Sequence, residues 1–155
     1  MPNSFMRTLL LALLFTSLCN AQTAIAFTDV EKLGITVKQL DETYKGALGE
    51  GGVFTTEEDQ QKHTAAYNGY LSEFSGFLDK NDFKWDEINN LCFNRVYIAP
   101  DGKIDYFLYQ FKTPITPEKE KEFNRLLNIY IKENRFGVTA PVKFSQCSPV
   151  MYAKE

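Results

Sequence analysis

Apolar positions in the first half of the chain recur every three or four residues. Val37, Leu40, Tyr44 and Leu48 fall on one helical face, and Thr36 with Gln39 has the spacing of a capping box that would start that helix. Gly49-Glu50-Gly51-Gly52 should end it, because consecutive glycines are costly inside a helix. A longer helix is predicted from Thr55-x-x-Glu58 to about Leu78, with Tyr67, Tyr70, Leu71, Phe74, Phe77 and Leu78 along one side. An aromatic stripe at this spacing reads as core. His63 lies in the polar first half of that helix and is expected in solvent. Asp79-Lys80-Asn81-Asp82 has the start of a calcium loop, but Phe83 and Lys84 stand where a ligand and a glycine are needed, so no metal is expected there. Trp85, the single tryptophan, should pin this connection to the core.

The period then changes to two. Leu91 to Ile98 and Lys103 to Phe111 read as strands joined by the turn Ala99-Pro100-Asp101-Gly102, in which proline presets the bend and glycine closes it. With Ala99 opposite Lys103, counting back places Ile98 against Ile104, Val96 against Tyr106, Arg95 against Phe107 and Phe93 against Tyr109. One face then carries Cys92, Val96, Ile98, Ile104, Tyr106 and Leu108. The other carries Leu91, Phe93, Arg95, Tyr97, Asp105, Phe107, Tyr109 and Phe111. Both faces are apolar enough to need cover, one from the long helix and the other from a later one. That later helix opens at Thr116-Pro117 and buries Phe123, Leu126, Leu127, Tyr130 and Ile131. A last strand runs from Val142 to about Cys147, with Val150-Met151-Tyr152 extending the edge. The expected fold is α+β: N-terminal helices, then a β-hairpin, a helix and a third strand forming a small antiparallel sheet packed with helices. The third strand is most simply laid antiparallel beside the first strand of the hairpin.

The opening segment changes the picture of compartment. Arg7, the apolar run Leu9 to Leu18 and the small residues after it follow the plan of a secretory signal peptide, and the run is too short to span a bilayer. The expected organisation is a signal peptide over 1–21, with an alternative end at 26, and one α+β domain over 28–152. Loss of Arg7 takes the net charge from -3 to -4, which argues against a nucleic-acid partner. The charge is uneven. Residues 28–87 hold 13 acids and 6 bases, and residues 88–155 hold 7 acids and 10 bases, so the halves should attract each other within one fold. Cys92 and Cys147 remain after export, and an even pair in an oxidising compartment suggests a disulfide. The expected sheet would put them at one end. With His63 as the single histidine, they cannot supply a usual structural zinc set.

The strand "RVYIAPDGKIDYFLYQF", the helix "TPEKEKEFNRLLNIYIKE" and the strand "APVKF", within residues 93–144, resemble the strand-turn-strand-helix-strand plan of the TonB C-terminal domain family. The resemblance implies a periplasmic protein-interaction fold. Energy transduction is not implied, since the chain lacks a retained membrane helix and a proline-rich spacer. The functional expectation is a small secreted or periplasmic, non-catalytic binding or adaptor domain. It would meet an envelope or extracellular protein partner through Phe93, Arg95, Tyr97, Phe107 and Tyr109, or through the sheet edge. No cofactor, nucleic acid or integral membrane span is expected. A small hydrolase is the alternative class, with Asp101 and Asp105 or Glu118 and Glu122 as formal carboxylate pairs, though no serine elbow or zinc-protease motif accompanies them. An aromatic-lined small-molecule carrier is the third, and would need a strongly curved sheet.

Overall fold

A computed structural model describes residues 22–153, so the signal-peptide reading lies outside the described residues. Strand β1 (Thr23–Ala26) leads through a 3-10 helix (Phe27–Leu33) to α1 (Val37–Thr43) and the two-residue strand β2 (Lys45–Gly46). Then come α2 (Glu57–Lys80), β3 (Asn89–Ile98), β4 (Ile104–Phe111), α3 (Pro117–Glu133) and β5 (Phe144–Ala153). The class is α+β, but the sheet is neither small nor purely antiparallel. Five strands stand in the order β1-β4-β3-β5-β2, with β1 parallel to β4 and β2 parallel to β5. Both parallel margins come from segments too short for a period-two pattern to show. The expected third strand, β5, does lie antiparallel beside β3.

Local chemistry explains the helices. Thr36 and Gln39 form the capping box at α1, whose helix ends at Thr43 because the chain turns into β2 to pair with β5. At α2 the cap is Thr56, one residue beyond the expected threonine, and its hydroxyl accepts from the Asp59 N–H. Thr116 caps α3 with Pro117 next, and all five expected core residues of that helix are buried. Phe83 and Trp85 turn inward after α2, and Trp85 stacks on Tyr152 with ring centroids 5.2 Å apart.

Both long helices cover the same face of the sheet. Tyr67, Tyr70, Phe74 and Leu78 of α2 and Phe123, Leu126 and Tyr130 of α3 share one core with Val96, Ile98, Phe107 and Tyr109. Burial of each such side chain is worth about 1.5–3 kcal/mol before the entropy of ordering it. The opposite face is covered by the N-terminal segment instead, where Val30, Leu40 and Tyr44 pack on Tyr97 and Leu108. Two ion pairs, Arg95–Asp41 at 3.2 Å and Lys119–Asp86 at 3.3 Å, join the acidic and basic halves of the chain.

The hairpin register departs from simple counting at one residue. Ala99 faces Lys103 and Ile98 faces Ile104 as expected, but Tyr97 then faces Tyr106, Val96 faces Phe107 and Asn94 faces Tyr109. Asp105 is the extra residue of a β-bulge, and with Tyr106 it opposes the single Tyr97. The bulge is held by a buried hydrogen bond of 2.6 Å from the Tyr44 hydroxyl to the Asp105 carboxylate. Everything on β4 beyond it is turned to the other side of the sheet.

The open margin of the sheet as candidate functional site

The bulge divides the five residues expected to form one aromatic surface. Phe107 and Tyr109 are buried beneath the helices, and Tyr109 packs 5.2 Å from Phe123. Phe93, Arg95 and Tyr97 point to the other face. There Tyr97 is fully buried and donates to Asp41 at 2.9 Å, while Phe93 and Arg95 are half-buried. No single surface contains all five.

The cysteines are separated in the same way. Both are free thiols. Strand β5 does not stop at Cys147 but continues to Ala153, so Cys147 lies mid-strand opposite Arg95, while Val150 is the residue opposite Cys92. Three positions along a strand is about 10 Å, and side chains an odd number of positions apart point to opposite faces. Cys92 is therefore buried under the helices, where loss of hydration pushes its thiol up to about 12, and Cys147 is exposed on the far side. The expected bridge is not made.

The two margins of the sheet are finished differently. At β1 the outward main chain of Ala24 is clamped by α3: its N–H donates to Asn128 Oδ1 at 2.9 Å, and its C=O accepts from Asn124 and Asn128 at 2.9 and 2.8 Å. At the other margin β2 pairs with β5 only as far as Ser145, whose C=O accepts from Ala47 N–H at 2.9 Å. Main-chain groups alternate sides along a strand, so Cys147, Pro149, Met151 and Ala153 also direct theirs outward. Among the described residues no strand meets them. Pro149 is accommodated because its missing N–H falls on this outer side and costs β3 nothing.

Beside this edge runs a groove of about 370 Å³ between α2 and β5. Thr64, Tyr67, Asn68 and Leu71 form its helix wall, Gln146, Ser148 and Val150 its strand wall, and among the described residues no charged side chain lines it. Behind it stands a buried polar chain. Ser148 Oγ donates to the Tyr67 hydroxyl at 2.8 Å, and Asn94, fully buried, donates to the Tyr152 hydroxyl at 3.3 Å. Burial raises the Tyr67 phenol to about 12.

His63 is at the end of this groove and is only 1% exposed, contrary to the expectation of a solvated residue. Its ring stacks on Phe54 at 4.8 Å and meets Phe136 and Phe144 at 5.4 and 6.0 Å. Phe54 precedes α2, and Phe136 and Phe144 are more than 70 residues away in sequence, so no pattern on α2 itself could announce the burial. His63 Nε2 lies 2.8 Å from Gln146 Oε1, and loss of hydration holds the imidazole below the usual histidine range, with the Gln146 bond opposing the shift.

The carboxylates of the formal hydrolase pairs have structural partners in three of four cases. The histidine faces an amide, Asp105 is tied to Tyr44, Asp101 to Arg135 and Glu122 to Arg125. Among the described residues no three His, Cys, Asp or Glu side chains stand together as metal ligands, and no helix is long and apolar enough to cross a membrane. The margin offers outward amide and carbonyl groups in a row beside the groove. No family model, curated protein or solved structure matches this chain.

Proposed function

We propose that the chain is a small exported, non-catalytic binding domain of the cell envelope that takes an extended segment of a protein partner as an added strand on the outer edge of β5. The observation that carries this is the contrast of margins: Ala24 is clamped by two asparagines, whereas β5 from Cys147 onward presents main-chain groups beside a groove. An occupant would continue the ladder that β2 begins, with every second side chain against Thr64, Asn68 and Leu71 of α2. Because the groove walls carry no charge, the residues turned toward α2 should be uncharged. The resemblance of residues 93–144 to the TonB C-terminal plan supports a protein-interaction role, and the leader supports export. A cut after Ala21 would leave β1 whole, whereas a cut after Ala26 would remove it.

Selection of heptapeptides from a displayed library on the immobilised protein tests the reading. Binders should slow hydrogen exchange at the Cys147 and Met151 amides and lose affinity at least tenfold with Met151→Pro, which deletes an outward N–H without touching the pairing to β3. Binders indifferent to Met151→Pro would refute strand addition.

A further inference from the structure

We propose that the Gln146 side chain masks the open edge of β5, that His63 holds it in place, and that an acidic surrounding lifts the mask. This rests on the reading of β5 as a strand-accepting edge. The Gln146 amide Nε2 donates to the Cys147 C=O at 3.1 Å, the first outward carbonyl beyond the one Ala47 takes from Ser145. An incoming N–H must therefore compete with the protein's own amide. That bond fixes the orientation of the Gln146 amide and turns Oε1 to the imidazole at 2.8 Å, so His63 Nε2 carries the proton and donates. Its Nδ1 is then a bare acceptor, buried and without a hydrogen-bond partner among the described residues.

Protonation puts a second N–H at Nδ1, where Phe54, Phe136 and Phe144 supply no acceptor. Charged neighbours do not compensate. On α2, Asp59 accepts from Thr56 and Lys62 pairs with Glu58, while the Tyr67 hydroxyl is bound by Ser148. Among the described residues the ring contacts of His63 are with Phe54, Phe136, Phe144 and Gln146, and the charged residues next to those phenylalanines are engaged elsewhere, Arg135 with Asp101 and Lys143 over the Tyr44 ring. The cation is relieved by withdrawing from this pocket, which breaks the bond to Gln146 and frees the Cys147 carbonyl. The lowered imidazole affinity for protons agrees with this geometry.

The chain has one histidine, so its ring signals in a ¹⁵N-labelled mature protein are unambiguous. At pH 7.5 they should report the Nε2–H form, with the Gln146 side-chain amide protected from exchange. On titration to pH 5 both signals should change with a shared midpoint below the usual histidine value of about 6.5. In parallel, a library-selected heptapeptide should bind Gln146→Leu about fivefold more tightly than wild type at pH 7.5, the equivalent of one net hydrogen bond. Wild-type affinity should rise toward that of the variant as pH falls. A Gln146 amide that stays protected while His63 titrates overturns the mask, as does equal peptide affinity for both proteins at every pH. If the amide and ring titrate together but no peptide binds the edge at any pH, the mask stands and the strand-addition reading fails.

Discussion

Replacing Gly102 by alanine should cost the fold about three times as much as replacing Gly34 by alanine, although both glycines have left-handed backbones. Gly34 has φ +73° and a Cβ built there meets nothing within 4 Å, so Gly34→Ala costs only the conformational term, about 1 kcal/mol. Gly102 has φ +85°, and its Cβ would stand 2.7 Å from the Phe136 carbonyl oxygen. That atom belongs to the main chain and cannot swing aside. The strand connection must move, and with it goes the hydrogen bond of 2.8 Å from Phe136 N–H to the Gly102 carbonyl, worth about 1 kcal/mol. Phe136 itself is buried against His63 and Tyr70, so its displacement loosens packing for about 1 kcal/mol more. The sum is about 3 kcal/mol. With a urea slope of about 2 kcal/mol/M, Gly102→Ala should lower the unfolding midpoint by about 1.5 M and Gly34→Ala by about 0.5 M, at unchanged slope. Equal shifts for the two variants would refute the reasoning that the turn is braced against Phe136.

Tyr109→Ala should destabilise by about 3–5 kcal/mol in the same assay, since this ring is 2% exposed and packed on Phe123, whereas the half-buried Phe93 should cost about 1 kcal/mol on truncation. Equal costs would contradict the placement of the bulge at Asp105. Intact-mass analysis of the exported protein, alkylated without reduction, should find a chain beginning at Gln22 with one modified thiol when native, Cys147, and two when unfolded. A species that takes no alkylation even when unfolded would show a Cys92–Cys147 bridge and overturn the assignment of the two sulfurs to opposite faces.

What could be read from the chain alone is whatever neighbouring residues settle. Thr116, Pro117 and the stripe from Phe123 to Ile131 specify α3 within one stretch, and the position of β5 follows from the short connection through that helix. The bulge could not be read this way. Its cause, the Tyr44–Asp105 hydrogen bond, joins residues 61 apart, and a count by twos carries every later side chain of β4 to the wrong face. Thr23–Ala26 has the small residues of a cleavage site and becomes a strand only because β4 lies beside it. The strand expected to reach about Cys147 runs on through Pro149 to Ala153, since proline is tolerated on an edge. The candidate site was thus legible only as the possibility of a sheet edge. Its groove, and the buried His63 at its end, depend on contacts among segments remote from one another.

The parallel margins of the sheet have a kinetic consequence. Strand β1 finds its partner 83 positions later, Thr23 with Tyr106, and β2 finds its partner 99 positions later, Lys45 with Phe144. Closing such long loops is slow relative to forming the hairpin of β3 and β4, whose ends are joined by a tight turn. A chain emerging from its N-terminus cannot seat β1 until about two-thirds of it has appeared, and cannot seat β2 until nearly all has. The N-terminal segments therefore wait as unpaired polypeptide while the rest arrives. Were the chain exported as proposed, the same ordering would leave its leading part unpaired during passage, with folding completed only after the last strand has crossed.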